Sequence, residues 1–291
     1  MSSVQNKKVV NRPWWIWPNL LGIDAPTVAV LWQYFFACNF SLKIPTSNYL
    51  TLFLIVWVIY SVDRLLDARR LKRPEKASLR HLFYHSNYRI ASFLTVVLTI
   101  LTVFFCLYFL PMELLKTGSF VGAFVVVYLL HQIWAKGPMM IFIPKEVFIG
   151  MIFAVGSTLT GHTWSGEFIP DAFFSPSVII FGILCAMNCI AISVWERHHD
   201  VENDPNALPQ FLPQVVKLFP TIACAVFISL MVYSFTNHDH VGFPIFVASV
   251  AGCGLIAVLS FFDGKFSSQF LRFAADMAVM IPALLCVVLW V

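Results

Sequence analysis

Two pairs of carboxylate residues stand four positions apart, each at the end of a long apolar run. Asp63 and Asp67 belong to the segment VIYSVDRLLDARR, and Glu196 and Asp200 belong to NCIAISVWERHHD. Four residues make about one turn of an α-helix, so the two carboxylates of a pair project from the same helix face. If both helices end on the same side of the molecule, the two pairs can face each other across a cavity.

Hard oxygen ligands arranged in two facing pairs suit Mg²⁺, which is usually completed by water and by phosphate oxygens of a substrate. The four acids therefore predict a Mg²⁺ site that bridges a diphosphate and neutralises its charge as it leaves. Neighbouring cations can donate charge-assisted hydrogen bonds to phosphate. The candidates are Arg64, Arg70, Lys136, Lys145 and Arg197. A charged phosphate end joined to an apolar body describes a polyprenyl diphosphate.

The same acids have a simpler interpretation as interfacial ion pairs with Arg64, Arg69 and Arg197. Such i,i+3 or i,i+4 pairs contribute roughly a few tenths of a kcal/mol each. Carboxylates near membrane depth are costly, however, and they are usually functional. Two pairs with matching spacing therefore favour a binding site over simple ion pairs.

The composition indicates which kind of element carries these acids. Of the 291 residues, 59% are hydrophobic and 12% are charged, with a mean hydropathy of +0.80. A soluble domain has roughly 25% charged residues, so this chain has too few polar side chains to cover a globule in water. Lipid must cover the surface instead. We therefore expect a multi-pass integral membrane protein, and nothing in the sequence supports nucleic-acid binding.

Nine apolar runs approach the roughly 20 residues that a helix needs to cross the hydrocarbon. They span 20–40, 49–66, 88–110, 118–135, 147–162, 178–195, 215–235, 243–262 and 270–290. Because they use nearly the whole chain, we predict one all-α transmembrane domain over residues 1–291. The two long polar connections, 67–87 and 197–214, are predicted to be loops that cap the acidic pairs.

The distribution of cations predicts the orientation. With the N-terminus inside, all 19 Lys and Arg residues fall on the inner side except Lys43 and Lys116. The positive-inside rule therefore predicts that the N-terminus and both capping loops are cytoplasmic and that the C-terminus is outside.

Four further polar residues lie inside predicted spans, where they must be paired or face a cavity. Asp24, in the first span, is a candidate for the cavity wall. Asn188 has two open interpretations, a contact with substrate or a hydrogen bond between helices. Arg272 precedes Asp276 by one helical turn, which predicts a structural ion pair.

The motifs DRLLD (63–67) and ERHHD (196–200), the segment PKEVFIGMIFAVG (144–156) and the helix count together resemble the UbiA superfamily of intramembrane prenyltransferases. The resemblance implies nine transmembrane helices around a central cavity, with the two acidic motifs near helices two and six under polar cytoplasmic loops. The chain departs from the family pattern in two places. Ile59 stands where an Asn is common, and Glu196 stands where an Asp is usual.

The leading hypothesis is therefore a Mg²⁺-dependent membrane enzyme that ionises an isoprenyl diphosphate and transfers the prenyl group to a lipophilic or aromatic acceptor. Two alternatives remain. A terpene cyclase of the same architecture would capture the cation with the double bonds of its own substrate. A transporter or lipid-binding protein would use the acids for a coupling cation, and interrupted helices in matching halves of the chain would favour it.

Overall fold

The computed structural model describes residues 13–71, 74, 77–134, 144–165, 171, 173–204 and 206–290, and within these the side chains of 132–134 and 200–203 lie outside the description. Every regular element in this part of the chain is a helix. After a 3₁₀ helix at Trp14–Ile16, the α-helices are α1 (Trp17–Leu21), α2 (Asp24–Asn39), α3 (Thr46–Arg70), α4 (Leu79–Ser86), α5 (Tyr88–Phe109), α6 (Met112–Trp134), α7 (Lys145–Ser165), α8 (Pro176–Asn203), α9 (Leu208–Phe211), α10 (Gln214–Thr236), α11 (Phe243–Ser260) and α12 (Ser268–Trp290).

Eight of the described helices are long and apolar enough to cross a membrane: α3, α5, α6, α7, α8, α10, α11 and α12. Their outward faces carry large apolar side chains. On α5, for example, Ile100 is 67% exposed and Leu107 is 71% exposed. A helix backbone satisfies its own hydrogen bonds, so only the side chains need to match the lipid. The fold is that of an all-α, multi-pass membrane protein, as predicted.

The first predicted span differs from the structure. Instead of one helix over 20–40, α1 ends at Leu21 and α2 begins at Asp24. The chain bends by 85° between the segment Trp14–Leu21 and α2. Gly22 lies between them in the left-handed region at φ 69°, which glycine adopts without steric cost and which commonly ends a helix. The described residues thus give eight spans, or nine if the bent pair counts as one.

The helices that carry the acidic pairs are longer than predicted. Helix α3 continues to Arg70 and α8 continues to Asn203, so both extend into the predicted capping loops. Those loops also contain the short helices α4 and α9. Because an α-helix needs no outside partner for its interior hydrogen bonds, it can continue into the polar zone and hold its acids in register.

Helix α8 lies at the centre of the bundle and packs against α7, α11 and α12. Gly150 of α7 sits directly on the backbone of Cys185 and Ala186, where a Cβ atom would collide. Close backbone approach through small residues is typical of helix packing in membranes. The pairing of α7 with α8 brings the start of one helix beside the end of the other.

Candidate functional site

A cavity of about 320 Å³ lies between α3, α6, α7 and α8, with α4 against its edge. One end is polar. Its walls there include Asp63, Arg64, Asp67, Arg80, His81, Tyr128, Lys145, Glu146, Glu196, Asp204 and Arg272. The other end is lined by aliphatic side chains and glycines of α3, α6 and α7. The cavity is therefore amphiphilic along its length.

The first acidic pair lies at the polar end, on one face of α3 as predicted. Asp63 Oδ1 accepts a hydrogen bond from the Tyr128 hydroxyl at 3.2 Å. Asp67 Oδ2 is 3.4 Å from Nε2 of His81, which α4 brings over the cavity. Asp67 remains one-third exposed, so it can still reach a ligand that enters from the polar side.

Lys145 begins α7 at the mouth of the cavity, and its ammonium group forms an ion pair with the carboxylate of Asp204. Both residues line the cavity. Sequence reasoning missed Asp204, although it follows Asp200 by the same four-residue spacing that links Glu196 to Asp200. That repeated spacing was the available signal.

Glu196 lines the cavity, but its carboxylate forms ion pairs with two arginines. It is 4% exposed, and its Oε2 lies 2.8 Å from Arg80 Nη2 and 3.4 Å from Arg272 Nη1. The sequence predicted Glu196 as a metal ligand, but in the structure two arginines contact the carboxylate that would bind the metal.

The predicted pair of Arg272 with Asp276 is wrong, because the Arg272 side chain reaches α8 instead of its own helix. Asp276 Oδ1 instead accepts a hydrogen bond from Asn188 Nδ2 at 3.4 Å.

This last contact agrees with one of the two interpretations of Asn188. The side chain joins α8 to α12, so the helix-to-helix hydrogen bond is the one observed. Asn188 is not among the residues that line the main cavity.

Arg64 is a buried cation beside the first acidic pair. It lies 3.9 Å from Asp24 and donates to the backbone carbonyl of Asn19, and its guanidinium carbon is 4.7 Å from the ring centre of Tyr60. Its Nη2 atom is buried without a hydrogen-bond partner. Asp24 also accepts from Asn19 Nδ2 at 2.6 Å, so it balances the charge of Arg64 rather than lining the main cavity.

The remaining predicted residues lie elsewhere. Arg70 is exposed at the end of α3, and Arg197 pairs with Asp263 at 2.8 Å, so neither lines the cavity. Asp200 lies in α8 with its side chain outside the described part of the chain, and Lys136 lies outside the described residues.

A buried glutamate that the sequence did not single out ties the polar end together. Glu146 Oε1 accepts hydrogen bonds from Ser193 Oγ at 3.0 Å and from the backbone N–H of Leu208 at 2.8 Å. These bonds connect α7, α8 and α9. The segment after α8 is thereby held over the cavity, beside Asp204.

A second cavity, of about 210 Å³, lies between the N-terminal helices and α12. Its walls combine rings, Trp15 and Phe273, with the acids Asp24 and Asp276. It shares the charged group Arg80, Glu196 and Arg272 with the main cavity. The three side chains form a common wall between the two spaces.

The carboxylates at the polar end are the candidate ligands for a metal ion. Among the described residues no three His, Cys, Asp or Glu side chains converge tightly enough to hold an ion. Asp63, Asp67 and Asp204 nevertheless line the same end of the cavity. Mg²⁺ takes few protein ligands and completes its shell with water and phosphate, so one or two of these carboxylates would be enough to hold it beside a bound phosphate.

Comparison with known proteins adds no assignment: no family model, no curated protein and no solved structure matches this chain.

Proposed function

We propose that this chain is a Mg²⁺-dependent membrane prenyltransferase, which ionises an isoprenyl diphosphate and transfers the prenyl group to a lipophilic or aromatic acceptor. One observation carries the proposal. A single cavity joins an end with five carboxylates and several cations to an apolar half within the bundle. A prenyl diphosphate has the same division into a charged head and a hydrocarbon tail, and the acidic motifs resemble those of the UbiA superfamily.

Cations at the polar end would bind the diphosphate directly. Arg64 lines this end, and its Nη2 atom lies 3.9 Å from Asp24 without a hydrogen bond, so it would turn from Asp24 towards a phosphate oxygen. Lys145 would exchange part of its contact with Asp204 for phosphate, and charge-assisted hydrogen bonds of this kind are among the strongest available to proteins. Mg²⁺, held by Asp63, Asp67 and Asp204, would supply the positive charge that stabilises the leaving diphosphate.

The apolar half would protect the cation that ionisation leaves behind. Aliphatic side chains exclude water, which would otherwise quench an allylic cation. Aromatic rings at the boundary, those of Tyr60, Phe148 and Phe153, present faces that attract positive charge. Phe148 lies 6.4 Å from the ring of Tyr128, whose hydroxyl contacts Asp63.

The second cavity is our candidate for the acceptor site of a transferase, on the far side of the wall formed by Arg80, Glu196 and Arg272. A cyclase needs one space, whereas a transferase needs a place for a second substrate beside the first. The smaller cavity offers the rings of Trp15 and Phe273, with centroids 5.4 Å apart, and the carboxylates of Asp24 and Asp276. That lining suits a flat acceptor with a hydrogen-bond donor.

The structure gives less support to the transporter alternative. Inverted-repeat transporters place broken helices at matching positions in both halves. Among the described residues one helix pair is sharply bent, at Gly22, and no counterpart to it is found in the later helices of that part of the chain.

Product analysis tests the proposal. Purified protein in lipid nanodiscs is incubated with Mg²⁺ and a prenyl diphosphate, with and without a lipid extract of the host membrane as acceptor source, and diphosphate and organic products are measured by mass spectrometry. We expect diphosphate release that depends on the extract, with a prenylated product. Release together with a cyclic hydrocarbon in the absence of extract indicates a cyclase instead, and no release under any condition contradicts both enzymes.

A matched pair of variants assigns the activity to the cavity. Asp63→Asn removes a charge from the polar end, and Asp239→Asn removes one from an exposed loop, where the side chain is 94% accessible. The first change should abolish turnover and the second should leave it unaltered. Equal activity in the two variants would remove the acidic end from the mechanism.

A further inference from the structure

The apolar half of the main cavity has a measurable depth. Three helices line it with continuous stripes of residues at three- and four-residue spacing. The stripe on α3 runs from Asp63 to Leu52, which is 11 positions and a rise of about 16 Å. The stripe on α6 runs from Tyr128 to Gly118, which is 10 positions and about 15 Å.

Contacts between the helices align these stripes: α6 contacts α3 and α7 at the polar end, and it contacts α7 again at the apolar end. At the polar end Tyr128 contacts Asp63 at 3.2 Å and its ring lies 6.4 Å from that of Phe148. At the apolar end a Cβ atom on Gly118 would lie 3.9 Å from Leu159. Phe148 and Leu159 are again 11 positions apart on α7. Three helices therefore give the same depth.

A small hydrophobic cluster lies at the apolar end. Leu114, Val121 and Leu159 are buried together, and Trp164 and Phe173 pack against them. Leu159 belongs both to this cluster and to the cavity wall. Val121 belongs to both as well, so the cluster packs along the apolar part of the cavity wall, and Leu159 is its member farthest from the polar end in that wall.

Two glycines leave open space part of the way down. Gly122 and Gly156 line the cavity, and a Cβ atom built on either would meet nothing within 4 Å. Gly122 lies six positions from Tyr128, at a depth of about 9 Å. Any larger side chain at these positions would project into the path of a bound chain.

We infer that this cavity selects prenyl chains of up to fifteen carbons, with Gly122 and Gly156 leaving room for the third isoprene unit and Leu159 setting the limit. A depth of about 16 Å is roughly the extended length of three isoprene units. The inference rests on the proposed function for the diphosphate end, but the length limit concerns the hydrocarbon alone.

Turnover with geranyl, farnesyl and geranylgeranyl diphosphates tests the limit. Wild-type protein should have its highest kcat/KM with farnesyl diphosphate. Its kcat/KM with geranylgeranyl diphosphate should be at least about tenfold lower, because the fourth isoprene unit does not fit the pocket. Gly122→Leu should reduce kcat/KM for farnesyl by at least about tenfold and leave geranyl within about threefold. Leu159→Ala should raise the use of geranylgeranyl diphosphate.

The matched control is Val126→Leu, which adds one methylene to α6 at a position that is 55% exposed on the lipid side. It should leave the order of the three substrates unchanged. Equal use of geranylgeranyl and farnesyl diphosphate by the wild type, or an unchanged order in Gly122→Leu, would overturn the length limit.

Binding of tritiated geraniol, farnesol and geranylgeraniol, measured by scintillation proximity in nanodiscs, separates this inference from the proposed function. The alcohols lack the diphosphate, so the same chain-length order and the same shift in Gly122→Leu are expected even if no diphosphate is released. Absence of turnover would then refute the enzyme, whereas alcohol binding without a length preference, or no alcohol binding at all, would refute the length limit.

Discussion

Replacing Glu196 by Gln tests whether this buried carboxylate is a structural ion-pair partner. Its side chain is 5% exposed, and those of its partners Arg80 and Arg272 are 16% and 8% exposed. Solvent therefore screens the three charges very little. The amide keeps the size of the side chain but removes the carboxylate charge that Arg80 and Arg272 both contact in a low-dielectric wall.

The expected loss of stability follows from that geometry. Removing one member of a buried ion pair typically costs about 3–5 kcal/mol, mainly because the other charge stays buried and uncompensated. With a shift in Tm of roughly 2–4 °C per kcal/mol for a chain of this size class, Glu196→Gln should melt about 6–20 °C below the wild type.

The assay is thermal unfolding in detergent, followed by the fluorescence of a thiol-reactive dye on the buried cysteines. Glu113→Gln, an exposed position on α6, is the matched control and should melt like the wild type. Adding Arg272→Met to Glu196→Gln should recover part of the loss, because it removes a buried cation whose carboxylate partner has been replaced. A Tm within about 2 °C of wild type, with loss of stabilisation by Mg²⁺, would instead identify Glu196 as a metal ligand.

Other predictions follow from the packing, the charges and the topology. Lys145→Met should weaken prenyl diphosphate binding by roughly 1.5–3 kcal/mol, the range for a hydrogen bond to a charged group, and an affinity within about twofold of wild type in calorimetry would exclude the ligand role. Gly150→Ala should lower stability by about 1–3 kcal/mol through overpacking against α8, whereas Gly156→Ala, which meets open space, should unfold at the wild-type temperature. In a cysteine-free background, a membrane-impermeant maleimide should label Ser86→Cys only from the cytoplasmic side and Asp239→Cys only from outside, and the reverse pattern would invert the predicted orientation.

The long helices could be predicted because each is a local property of the sequence. The run from Tyr88 is predicted to end at Leu110, and α5 ends at Phe109. The break at Gly22 was not predicted, since an apolar run gives no sign of a bend within it. The only local signal was the glycine itself, which stands at the end of the short helix α1 and is the residue most tolerant of a positive φ.

The site could be predicted only in part, because its contacts join distant parts of the chain. The spacing of Asp63 and Asp67 on one face of a helix is a local feature and is observed. The contact of Glu196 with Arg272 joins residues 76 positions apart, and that with Arg80 depends on how α4 folds back over the cavity. No spacing rule encodes such contacts, and so the sequence suggested Asp276 as the partner of Arg272.

Mg²⁺-dependent binding of a prenyl diphosphate at the acidic end is the most direct test of the central claim. The measurement is calorimetric titration of the protein with farnesyl thiolodiphosphate, a slowly reacting analogue, in Mg²⁺ and then in excess chelator, for the wild type and for the Asp63→Asn/Asp67→Asn variant. We predict binding by the wild type in Mg²⁺, loss of binding in chelator, and no binding by the double variant in either condition. Equal affinity with and without Mg²⁺, or undiminished affinity in the double variant, would contradict the proposed diphosphate site.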